Sequence, residues 1–173
     1  RCLYRELYYP GHRLVFYVRL AAEEDLSVYR ELIAEFSRDS RSARLQEPCS
    51  EAELQEAEAY VGYAFPEELK ELLRETNGDR FLLLSAAEMM EVVRCNREIL
   101  AEGFDDAEEF SEKVDRHIFF AANGCGDYYC YRVLPDGRTD TSAIYIWEHE
   151  ICGHRVVAKD IPDLIRRYYS DEI

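Results

Sequence analysis

The sequence predicts an α+β fold, a mostly antiparallel sheet packed against helices, and three observations predict it. Helical apolar spacing dominates residues 23–102, with Ser-x-x-Glu capping boxes at Ser50/Glu53 and Ser85/Glu88. β-prone runs then gather between His117 and Ala158. Connections of hairpin length separate those runs, and such connections join neighbouring strands antiparallel rather than through crossover helices.

Taken in order, residues 2–9 and 13–20 are aromatic, β-branched runs around Pro10-Gly11. They read as a hairpin, or as a second run feeding directly into the next helix. Residues 23–36 follow as a helix with Leu26, Tyr29, Leu32, Ile33 and Phe36 on one face. Residues 37–44 have no apolar period and both charge signs, which marks a solvated connector. The boundary drawn there separates an N-terminal extension, residues 1–49, from a main domain, residues 50–173.

Ser50 opens a helix through Leu54, Ala57 and Val61 that stops near Gly62. Pro66 suits the first turn of a second helix, because its missing N–H is not needed there. Leu69, Leu72 and Leu73 form that helix's apolar face, and Asn77-Gly78 ends it with residues that accept left-handed dihedrals. Residues 81–84 are short, apolar and bounded by turns, so a buried strand is expected. Ser85 caps a helix through Met89, Met90, Val93 and Ile99 to about Gly103, and Asp105-x-x-Glu108 caps a further turn or two. Strands are expected at residues 117–122, 128–134, 143–147 and 155–158, and Asp160-Ile-Pro-Asp163 opens a closing helix bearing Leu164, Ile165 and Tyr168.

Composition bounds the function. The 173 residues are 47% hydrophobic and 13% aromatic, enough for one domain with a core of its own. Apolar runs such as residues 14–18 fall far short of the ~20 residues a membrane helix needs. No charged-then-apolar leader opens the chain, so a cytoplasmic location is expected. Acids and bases balance in residues 1–49, so residues 50–173 carry the whole net charge of −15. That charge repels nucleic acid and anionic membranes and speeds encounter with a basic protein; plain solubility is the alternative use of it. The six cysteines are scattered, which suits free buried thiols, with disulfides left open by the even count.

Catalytic and metal patterns fail on spacing. His149 and His154 lie five apart with Gly153 between them, whereas zinc-protease histidines lie four apart on one helix face. Cys125, Cys130, Cys152, His149 and His154 lack the tight Cys-x-x-Cys knuckles of structural zinc. Gly124-x-Gly126 precedes a strand and an aspartate, not the helix N-terminus that a dinucleotide loop needs. Nothing singles out a nucleophile–base pair. Neither a catalytic set, a metal set nor a cofactor site is therefore assigned. What is left is a mixture of rings and carboxylates around one sheet: Asp127, Tyr128, Tyr145, Trp147, Glu148 and Glu150. Strand alternation puts Ile144, Ile146 and Glu148 on one face and Tyr145, Trp147 and His149 on the other. Aromatics beside acids suit an interface that engages arginine or lysine, and for Trp147 an ordinary core place is the competing reading.

The helix, then Phe65-Pro66 opening a second helix that ends in Asn77-Gly78, resembles the SMI1/KNR4 family, also called the SUKH superfamily. The same holds for Phe119-Phe-Ala-Ala-Asn-Gly-Cys-Gly-Asp127 and the later Ile144-Tyr-Ile-Trp-Glu-His-Glu150. The resemblance covers about residue 50 to the end. It implies an α+β domain that binds protein, in bacteria an immunity protein neutralising a cognate toxin, often a nuclease or deaminase. In fungi it implies an interaction and regulatory protein. It carries over no catalytic residues, and it gives Pro66, Asn77, Gly78, Gly124 and Gly126 a part in maintaining the fold.

Overall fold

In a computed structural model, the structure describes residues 5–9, 12–16, 27–37, 43–102 and 114–173. Strands β1 (Arg5–Tyr9) and β2 (His12–Phe16) pair antiparallel, with Tyr9 opposite His12, so the hairpin alternative holds for this stretch. Helix α1 spans Val28–Phe36, with Ser27, expected inside the helix, at its N-cap position; residues 23–26, the Gly103 terminus and the Asp105/Glu108 cap lie outside the described residues.

Helices α2 (Glu51–Val61) and α3 (Glu67–Glu75) form as the local signals demand. The Ser50 hydroxyl accepts from the Glu53 amide while the Glu53 carboxylate accepts from the Ser50 amide at 2.8 Å, so both halves of the capping box are present. Pro66 opens α3 from its N-cap position, where its carbonyl accepts from the Leu69 and Lys70 amides at 3.0 and 3.1 Å. Helix α4 (Ala86–Glu102) takes its cap from two sources. Ser85 and Glu88 exchange contacts, and the Asn77 side-chain carbonyl accepts from the Ala86 amide at 2.7 Å. Asn77 thus links the end of one helix to the start of the next.

Residues 81–84 are a correction. They make a single antiparallel bridge, Leu83 opposite Ala121, instead of a strand. The cause is the fully buried Asp79, whose Oδ1 accepts from the amides of Phe81, Leu82 and Leu83 at 2.8–2.9 Å. Those donors wind the chain around one carboxylate and are withdrawn from a sheet ladder. The other Asp79 oxygen accepts from the Tyr169 hydroxyl, which ties this turn to the C-terminal helix.

Strands β3 (His117–Ala122), β4 (Tyr128–Val133), β5 (Thr139–Glu148) and β6 (Gly153–Ala158) form an antiparallel meander in the order β3-β4-β5-β6. Helix α5 (Ile161–Tyr169) closes the chain, its N-terminus capped by Asp160, whose carboxylate accepts from the Asp163 amide. Five helices and this four-stranded sheet, among the described residues, make the α+β class.

The main core lies on one face of the sheet. Ile118, Phe120, Tyr129, Tyr131, Ile144 and Ile146 pack there with Leu54, Leu69, Leu72, Leu73, Ile161 and Ile165. Helix α1 joins them: it packs on α5, Ile33 is fully buried, and the Glu75 carboxylate accepts from the Tyr29 amide at 2.7 Å. Burial at this scale contributes about 1.5–3 kcal/mol for each large apolar side chain. On α4 the buried positions are Ala86, Met89 and Val92, while Ile99 is 46% exposed.

Candidate functional site

The β3–β4 loop is built by one side chain. Asn123 Oδ1 accepts from the amides of Cys125, at 2.8 Å, and Asp127, at 3.2 Å, and its Nδ2 donates to Asp127 Oδ2 at 2.9 Å. The turn so folded needs positive φ at Gly124 and Gly126. At Gly126 there is a second requirement, since a Cβ there would stand 2.8 Å from the His149 ring. His149 Nδ1 lies 2.7 Å from Asp127 Oδ1, and the His149 amide donates to the same oxygen at 3.1 Å. Burial pushes the Asp127 carboxyl up, but the bonds from His149 and Asn123 outweigh it, and the group sits below the usual carboxylate range. The corner therefore fixes the end of β5 against the β3–β4 loop with an ionised carboxylate at its centre.

Above this corner runs the outer face of the sheet. Phe119, Cys130, Tyr145 and Trp147 are buried in a second apolar cluster, joined by Val92 of α4 and by Val114. His117 stacks among rings there, 5.1 Å from Trp147 and 5.5 Å from His154 between centroids. The Arg132 guanidinium lies over the Tyr145 ring at 5.2 Å. Burial, helped by Arg132, lowers the pKa of His154, and burial raises that of the Cys130 thiol.

Among the described residues the cover is incomplete. A cleft of about 380 Å³ opens between α4 and this face, with Val92, Cys95 and Ile99 on one wall and Phe119, Tyr128 and Trp147 opposite. Its acidic wall residue is Glu91, and Gly126 and His149 form its end. A larger cavity, about 590 Å³, lies along the other flank of α4 and holds both Arg97 and Asp115, so it expresses no preference for a ligand's charge.

The residues singled out from sequence fall into three groups. Trp147 and Tyr145 are buried, so their part in any recognition is as a floor beneath it. Asp127, Tyr128 and Glu148 are half-buried, Glu148 pairing with Arg155 at 3.2 Å, and Glu150 is exposed. Gly78 serves the helical side, far along the chain: its φ is 92° and a Cβ there would stand 2.9 Å from the Ser85 amide, so only glycine fits. Sequence reasoning missed the α4 wall. The signal was present as the spacing of Val92, Cys95 and Ile99, three and four residues apart on one helix face.

Among the described residues no three His, Cys, Asp or Glu side chains come together in a way that could hold a metal ion. Cys49, Cys95, Cys125, Cys130 and Cys152 are free thiols. No described helix is long and apolar enough to cross a membrane. In comparisons with known proteins, the family model described as SMI1 / KNR4 family (SUKH-1) matches residues 48–167. No curated protein matches the chain.

Proposed function

This chain belongs to the SMI1 / KNR4 family (SUKH-1), and from that premise we propose that it is a non-catalytic protein-binding module, an immunity protein that neutralises a cognate basic toxin of nuclease or deaminase type. The observation that carries the reading is the location of the charge. The whole net −15 falls in residues 50–173, the stretch that contains nearly all of the family match. An acidic surface accelerates encounter with a basic protein, and its carboxylates take the place of phosphates in a nucleic-acid groove. In this reading residues 1–49 are an extension to the binding domain, the protein works in the cytoplasm, and it blocks its target stoichiometrically, with neither cofactor nor metal.

The test is a binding measurement between the purified chain and the protein encoded beside it. A 1:1 complex whose association rate falls steeply as salt is raised from about 0.05 to 0.5 M supports the reading, because screening removes the steering. A salt-insensitive complex with a neutral partner of no toxic activity favours instead a general interaction and regulatory domain of the same fold. No complex at any ionic strength overturns the proposal.

A further inference from the structure

We propose that the cleft between α4 and the outer face of the sheet is the seat for a basic segment of the protein partner, receiving an arginine or lysine side chain between Glu91 and the Asp127–His149 corner. This assignment rests on the reading above that the partner is a basic protein, and it says where that protein binds.

Among the described residues the apolar stripe of α4 outruns its cover. Val92 is buried against the second cluster, but one and two turns further along the same face Cys95 is half-buried and Ile99 is 46% exposed. Both face Tyr128 and Trp147 across open space. On the inner side of the sheet the corresponding space is filled by helices. An apolar stripe with a sheet face opposite it and a cleft between them has the form of a groove awaiting a side chain. The volume, about 380 Å³, lies at the small end of the range for sites that enclose a ligand and accommodates one long side chain with its neighbours.

Charge selects a cation for that groove. Among the described residues no lysine or arginine lines the cleft, and Glu91 does. Gly126 and His149 line its end, Asp127 lies behind them as a carboxylate that accepts from His149 and Asn123, and Glu150 is exposed next to His149 in sequence. Arg94 bridges Glu91 and Glu98 on the exposed side of α4. Exposed pairs of that kind contribute little, so an incoming cation exchanges for Arg94 with small loss. The aliphatic stem of an arginine or lysine would lie along Ile99 and Val92, with its charged head near the Tyr128 ring and the carboxylates. A second copy of this chain is the wrong occupant, since each copy brings a net charge of −15.

Trp147 is the only tryptophan and forms part of the cleft, so its emission reports occupancy directly. The experiment titrates the purified chain with the basic protein encoded beside it, following Trp147 emission and the heat of binding. Ile99→Lys and Glu91→Lys are each expected to weaken binding about tenfold or more and to reduce the emission change in proportion. Glu47→Lys and Glu71→Lys make comparable charge changes at exposed positions outside the cleft and are expected to shift affinity by less than about threefold. All four positions are exposed, and matched melting curves exclude loss of folding as the cause. If the two cleft variants bind as the unaltered chain does, the assignment of the cleft is overturned while the proposed function stands. If the unaltered chain does not bind, the proposed function falls and the cleft assignment falls with it.

Discussion

On the inner face of the sheet, Ile118, Phe120, Tyr129, Tyr131, Ile144 and Ile146 share one cluster with side chains from all five helices. On the outer face, Phe119, Cys130, Tyr145 and Trp147 share a second cluster with Val92 of α4 and Val114, among the described residues, and Val156 at the edge strand is 57% exposed. The same four strands supply both faces. Polar atoms are treated differently as well. The Tyr131 hydroxyl on the inner face donates to Glu68 at 2.6 Å, and Glu68 also accepts from the Ile161 amide, so a carboxylate is committed to holding α5 to α3 and the sheet. On the outer side Glu91 is exposed and pairs with Arg94 of its own helix, and Glu150 is exposed. The inner face uses its chemistry for closure, and the outer face keeps apolar and acidic groups accessible together.

The largest effect should come from breaching the inner face. Phe120→Ala removes a fully packed ring from the main core and is expected to cost about 3–5 kcal/mol, read as a drop in the urea midpoint at unchanged slope. A cost below about 1 kcal/mol would erase the distinction between the faces. The corner of the outer face should be next. Gly124→Ala has open space around its new methyl and loses only the ~1–2 kcal/mol of a left-handed alanine. Gly126→Ala carries that cost too and must also displace the His149 ring from Asp127, so it should be the more destabilising of the two. Equal midpoints for the two variants would show that the corner tolerates a free His149.

The smallest effect is electrostatic. Burial and Arg132 hold the His154 pKa below its ordinary 6.5, so between the folded value and 6.5 the unfolded chain binds more protons than the folded one. The stability this group contributes is complete above about pH 6.5 and is lost as pH falls toward the folded value. His154→Gln should therefore flatten the difference between urea midpoints measured at about pH 7.5 and about pH 5.5. An unchanged difference would assign that pH dependence to other groups.

Much of the fold was legible because its signals are local. Both Ser-x-x-Glu capping boxes, the end of α2 near Gly62, the Leu69/Leu72/Leu73 face and the Asp160 cap all operate within a few residues of chain, where backbone geometry alone decides which atoms meet. The two faces of β5 were legible for the same reason, since alternation is a property of a single strand: Ile144 and Ile146 enter the main core, Tyr145 and Trp147 the second cluster. Membership of the SMI1 / KNR4 family was legible from the order of these pieces.

Tertiary structure decided what depends on distant partners. Residues 81–84 have a strand's composition, yet Asp79 captures their amides, and it does so as a buried group also bonded to Tyr169, 90 positions along the chain. Ile99 has a core residue's chemistry, yet the outer face stops short of covering it. Asp127 and His149 are an ordinary pair in sequence until the turn at Gly126 brings the ring over the glycine. Short-range spacing sets each element and the side chains on each of its faces; only the packed chain sets which of those faces find a cover, because burial depends on what arrives from elsewhere.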